Sequence, residues 1–127
     1  MSGTQLSPHF NEDEFRCKCG CGKVIVVPAL IDALETLREF VGIPIQITSG
    51  YRCAKHNAEV GGEPNSAHLT GEAADFWVSG SKDRFRFIEA IAFYGPTRYG
   101  VYPEWIHVDV STTLPQEVCW TQKRGDA

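Results

Sequence analysis

Two short stretches of this chain each combine one wholly apolar side with a second side that bears ligand-type residues. Across residues 72–78, Ala74, Phe76 and Val78 fall on one side of an extended backbone, while Ala73, Asp75 and Trp77 fall on the other. Across residues 105–110, Ile106, Val108 and Val110 make an apolar side, and Trp105, His107 and Asp109 make the opposite one. Each stretch therefore reads as a strand with one face for a core and one face bearing imidazole or carboxylate. The requirement that these two polar sides meet in space constrains the fold more than any other feature of the sequence.

The remaining elements follow in order. Asn11 ahead of Glu12, Asp13 and Glu14 is an N-cap followed by acids, and predicts a helical turn near residues 11–15. Val24–Val27 is β-branched and reads as a small strand. Pro28 suits a first helical position; Leu30, Ile31, Leu34, Leu37, Phe40 and Val41 recur at helical steps, and Gly42 closes the helix. Residues 44–48 alternate as a strand, 53–60 make a short helix ended by Gly61–Gly62, and 61–67 form a polar loop that delivers His68. Ser81 is the expected N-cap of a helix over 82–94, with Phe85, Ile88 and Ala92 on its buried stripe. Tyr99–Tyr102 and Trp105–Val110 are expected to pair as a hairpin across Pro103 and Glu104.

Length and charge narrow the classes. With 127 residues the chain is expected to form one domain over 1–127, with 1–9 and 120–127 as loose tails. A net charge of −4 without a dense Lys/Arg block argues against nucleic acid as a partner; Lys123 and Arg124 read as part of a solvated tail. No apolar run is long enough to insert in a bilayer, and no basic start followed by an apolar block marks a signal peptide. The expectation is a monomer, cytoplasmic at synthesis.

The polar faces carry the chemistry. Hydrolytic zinc sites take three protein ligands from His, Asp, Glu or Cys and keep one position open. His68, Asp75 and His107 fit that count, and Gly71 lets the backbone double back so that His68 and Asp75 converge. A carboxylate between Ala74 and Phe76 is costly unless paired or bound. Glu104 is the candidate general base if it belongs to the turn, because three residues along a flat strand would set it opposite His107. Asp109 shares the face of His107 and would orient its ring. Arg52 suits either a carboxylate or oxyanion hold or a structural ion pair. Nothing in the sequence converges on His9 or His56.

Ser66-x-His68-x-x-Gly71-x-Ala73-x-Asp75 followed by Glu104-x-x-His107, with Ser49-Gly50-Tyr51-Arg52, His56-Asn57 and Gly61-Gly62, resembles the zinc D-alanyl-D-alanine carboxypeptidase family of metallopeptidases. The resemblance covers residues 10 to 111 or so and points to small phage and bacterial cell-wall peptidases. It implies an α+β fold, a small antiparallel sheet flanked by helices, as in hedgehog and DD-peptidase zinc domains. It implies one catalytic Zn2+ on His68, Asp75 and His107, with Glu104 as base and Arg52 polarising the carbonyl or holding substrate. Ser66 would lie near the bound peptide, and Trp105 shares a face with a proposed ligand. The implied substrates are peptidoglycan stem peptides, cut as a D,D-carboxypeptidase or an L-alanyl-D-glutamate endopeptidase, and action on the cell wall would follow release of the phage type. The competing class is a non-catalytic zinc-containing binding module of the same fold.

Five cysteines remain: Cys17, Cys19, Cys21, Cys53 and Cys119. The C-x-C-x-C cluster is not the C-x2-C spacing of a zinc knuckle. Cys17, Cys19, Cys21 and Cys53 are open to three readings: a second metal site, a disulfide, or free thiols.

Overall fold

The computed structural model describes residues 3–121; residues 1–2 and 122–127, with Lys123 and Arg124, lie outside the described residues. The elements are β1 (Gln5–Ser7), β2 (Phe10–Asn11), a 3-10 turn (Glu12–Phe15), α1 (Pro28–Val41), β3 (Ile47–Ser49), α2 (Ala54–Glu59), a second 3-10 turn (Ala67–Thr70), β4 (Ala73–Trp77), α3 (Gly80–Tyr94), β5 (Arg98–Val101), β6 (Trp105–Asp109) and β7 (Val118–Thr121). The fold is α+β. Five strands make one sheet in the order β3-β4-β6-β5-β7, and β1 and β2 make a separate small hairpin. The main sheet is antiparallel except at one edge, where β7 runs parallel to β5.

The alternation in β4 and β6 is realised residue by residue. Asp75 pairs with His107 and Phe76 with Ile106 in an unbroken antiparallel register. Ala74, Phe76, Val78, Ile106 and Val108 are buried on one face. There they meet Leu30, Ile31, Leu34, Leu37 and Val41 of α1 and Phe87, Ala90 and Ile91 of α3. The Phe76 and Phe87 rings pack edge to face at 5.0 Å. The opposite face of the same strands carries the polar side chains and lines a cleft.

α1 begins at Pro28 and stops at Gly42, which adopts φ +78°, as the sequence implies. Phe40 is not on its buried stripe: the ring is half exposed and leans on Tyr94. α3 begins two residues earlier than expected, after Ser79, and its stripe is turned. Phe85 and Ala92 face solvent, while Phe87, Ala90 and Ile91 are buried and Ile88 is only partly so. Val24–Val27 is not a strand. It belongs to neither sheet, and among the described residues its long-range backbone bond runs from Val27 N to the Gly71 carbonyl (3.0 Å). β3 starts at Ile47 rather than residue 44, because Pro44 has no N–H to give; Gln46 contributes only a carbonyl, accepting from Trp77 N at 3.0 Å.

Neither end is loose where it is described. Gln5–Ser7 pairs with β2, and residues 120–121 complete β7. Glu35 of α1 clamps the N-terminal hairpin. Its carboxylate accepts from Ser7 Oγ (2.5 Å), His9 N (2.9 Å) and His9 Nδ1 (2.7 Å). Behind the clamp, Phe10 and Phe15 are fully buried, worth roughly 1.5–3 kcal/mol apiece. Burial raises the pKa of Glu35, but the Ser7 and His9 donors outweigh it and hold the group below the usual glutamate range. A depressed pKa means the clamp is present above the unfolded-state value and lost as pH falls through the folded one. Glu35→Ala is therefore expected to cost about 1–2 kcal/mol near neutrality. In urea titrations the difference from wild type should shrink in the acid range.

Among the described residues no helix is long and apolar enough to cross a membrane.

Candidate metal centre

Three elements deliver the polar side chains to one place. The second 3-10 turn carries His68, β4 carries Asp75 and β6 carries His107. Gly71 ends the turn at φ +74°, and a Cβ there would collide with the Ile25 carbonyl. Only glycine lets the chain reverse this close to residue 25 and enter β4 with Asp75 facing His68. One donor atom from each of His68, Asp75 and His107 lies within 4.8 Å of the others. His107 Nδ1 is 2.8 Å and His68 Nε2 3.3 Å from Asp75 Oδ1.

The far side of each imidazole is fixed as well. His68 Nδ1 donates to the Gly50 carbonyl at 2.6 Å, which turns Nε2 inward. His107 Nε2 donates to Asp109 Oδ2 at 2.8 Å, which turns Nδ1 inward. Asp109 is buried, and Arg98 Nε donates to its other oxygen at 2.7 Å. Outer hydrogen bonds that set the tautomer and aim the inner nitrogen are the usual support of metal-binding histidines.

The electrostatics follow from this crowding. Asp75 is buried, which by itself raises its pKa, but His68 and His107 outweigh burial and hold the carboxyl well below the usual range. Burial works against charge on His107; the Asp109 and Asp75 carboxylates overcome it and push the imidazole up to about 9. Burial likewise opposes ionisation of Asp109, and His107 and Arg98 hold its pKa down.

The three residues open onto a cleft of about 670 Å³. Arg52 lines it, with Nη2 at 3.6 Å from Asp75 Oδ2 and Nη1 donating to Asn57 Oδ1 at 3.2 Å. The guanidinium thus has a structural ion pair and also faces the cleft. Trp105 lines the wall and stacks flat on Tyr102, with centroids 4.5 Å apart at 8°. Ser66 does not line the cleft; its Oγ caps the 3-10 turn, accepting from His68 N at 3.1 Å. Glu104 belongs to the bend just before β6, but its side chain is exposed and outside the cleft lining. Its carboxylate has no hydrogen-bond or ion-pair partner among the described residues. His9 sits at the Glu35 clamp, and His56 lies 3.9 Å from Glu59, away from the centre.

Sequence reasoning missed part of the wall. Arg98, Tyr102 and Trp120 line the cleft, as does Glu63. Trp120 Nε1 donates to Tyr102 Oη at 3.0 Å, and its ring lies 5.2 Å from that of His107. Gly100 makes room for it: a Cβ there would collide with the indole. The register Arg98↔Asp109 in the hairpin was the signal for Arg98. Nothing in the sequence marks Trp120 as part of the site, because β7 reaches it through a parallel pairing.

A model of the Peptidase M15 family matches residues 8–109. The chain belongs to that family. These are the zinc D-Ala-D-Ala carboxypeptidase-like peptidases, so membership supports a peptidase. No curated protein matches the chain significantly. The matched range contains His68, Asp75, Glu104, His107 and Asp109 and stops short of Trp120. M15 peptidases are zinc-dependent in general, and the donor set here fits that metal: two imidazole nitrogens and a carboxylate, each held from behind. If Asp109 supports the metal through His107, Asp109→Asn should weaken zinc binding about 10–100-fold, read by competition with a chromophoric chelator.

Proposed function

We propose that the chain is a zinc metallopeptidase that hydrolyses a peptide bond in peptidoglycan stem peptides. The observation that carries this reading is the convergence of His68, Asp75 and His107 in the lining of an open cleft, with Arg52 beside them. His68, Asp75 and His107 would hold the ion. When bound, it would supply Lewis-acid polarisation of the scissile carbonyl and an acidified water. Arg52 holds a substrate carboxylate or the developing oxyanion, and Asp75 and Asn57 keep its guanidinium in place. Glu104 swings from the bend before β6, takes the proton of the attacking water on a carboxylate oxygen, and passes it to the leaving amine nitrogen. Trp105, stacked on Tyr102, gives the peptide an aromatic wall.

Two bond specificities fit this site, D,D-carboxypeptidase and L-alanyl-D-glutamate endopeptidase, and action on the cell wall would suit a phage-type lysin. A second reading is favoured by one observation. Glu104 stands outside the cleft lining, as it would in a zinc-containing binding module that has no turnover. Mass analysis of the products from zinc-loaded protein and purified stem peptides separates them. Free D-alanine, or a cut after L-alanine, supports the peptidase and names the bond. Intact peptides after prolonged incubation with the zinc-bound protein support the binding module.

A further inference from the structure

The cysteine-glycine segment 17–23 takes no part in the cleft, yet it folds into a defined arrangement around four sulfurs. Gly20 and Gly22 adopt φ +86° and +79°, which lets alternate cysteines of C-x-C-x-C turn toward one point. Cys17 N donates to the Lys23 carbonyl at 2.9 Å, and Arg16 donates to the Gly22 carbonyl at 2.7 Å, so the loop is closed at its base. Cys53, the N-cap of α2, meets it from a segment distant in sequence. The Sγ atoms of Cys17, Cys19, Cys21 and Cys53 all lie within 4.8 Å of one another. Cys17 and Cys19 are 3.4 Å apart, and Cys19 and Cys53 3.6 Å.

Those separations discriminate between the possible uses of the thiols. A disulfide needs sulfurs about 2.05 Å apart, and all the cysteines are free. A tetrahedral zinc with Zn–S of about 2.3 Å sets its sulfurs about 3.8 Å apart, close to the distances here. Backbone amides also point at the sulfurs: Cys53 N at Cys17 Sγ and His56 N at Cys53 Sγ, each at 3.4 Å. Such donors favour thiolates over thiols.

We propose that Cys17, Cys19, Cys21 and Cys53 bind a second zinc ion, distinct from the one on the histidines. Four protein ligands leave no open position, so this ion is structural. On binding, the four thiols release their protons to solvent and coordinate as thiolates. Its place in the fold gives it a task. Cys53 directly follows Arg52; Tyr51 N donates to the Phe15 carbonyl at 2.8 Å, and Arg52 N to the His68 carbonyl at 3.0 Å. The ion ties the N-terminal loop to the segment that carries Arg52 and the Gly50 carbonyl behind His68.

The test reads metal rather than hydrolysis, so its failure is distinguishable from failure of the peptidase reading. Zinc and protein are quantified together in wild type, in Cys19→Ser/Cys21→Ser and in His68→Ala/His107→Ala, all purified under reducing conditions. Two zinc ions per chain are expected in wild type and one in each variant. Zinc-edge X-ray absorption of the histidine variant should report a shell of sulfur only. That spectrum decides the matter even if the cysteine variant fails to fold. A histidine variant without zinc, a shell containing nitrogen or oxygen, or a Cys19–Cys53 disulfide in the reduced preparation would overturn the proposal.

Discussion

Glu104→Gln is expected to lower turnover of a stem peptide by about 10²–10⁴-fold, the usual contribution of a general base, with zinc content and KM nearly unchanged. The amide keeps the size of the side chain and cannot accept the proton of the attacking water. Among the described residues the Glu104 side chain is exposed and unpartnered, and its backbone carbonyl accepts from Val78 N at 3.0 Å. A loss of rate with normal stability would therefore belong to the chemistry. The paired control is Glu63→Gln, a carboxylate residue in the cleft lining, which should alter KM and spare kcat. The reverse outcome, with Glu63→Gln inactive and Glu104→Gln active, would move the base to the loop before Ser66.

The second large effect is expected from Asp75→Ala. Asp75 contacts His68, His107 and Arg52, so the substitution removes a proposed metal ligand and the partner that holds the guanidinium. Zinc affinity at the histidine centre should fall by more than about 100-fold, beyond the loss expected for an outer hydrogen-bond partner such as Asp109, and hydrolysis should fall with it. Equilibrium dialysis against zinc checks the first, and rates at saturating zinc check the second. If Asp75 served only a buried hydrogen-bond network, stability would drop while zinc affinity stayed at the wild-type value.

The parts of this architecture that were legible in the sequence are those set by local pattern. α1 is bracketed by Pro28 and Gly42, and Leu30, Ile31, Leu34, Leu37 and Val41 fall on one stripe, with Phe40 left off it. β4 and β6 alternate with period two, so their faces, and with them Asp75, His107 and Asp109, could be assigned before their partners were known. The α3 stripe could not be assigned in this way. Phe85, Phe87, Phe93 and Tyr94 spread aromatic residues around the helix, and the sheet decides among them by seating Phe87 on Phe76. β7 was invisible for a related reason. Val118–Thr121 is short and ambiguous alone, and it becomes a strand only by pairing in parallel with β5, which brings Trp120 over His107. Glu104 shows the limit most clearly. Its spacing from His107 and its place in a bend are readable, but the direction of an exposed side chain is not encoded in spacing.

The central claim is that the ion on His68, Asp75 and His107 drives peptide-bond hydrolysis. The most direct measurement is the rate of stem-peptide cleavage during zinc titration of protein stripped at that centre, with occupancy followed in parallel. The rate should be absent in the stripped protein and rise in proportion to filling of that centre. Hydrolysis that persists in the stripped protein, or a fully occupied centre with no hydrolysis, would contradict the account.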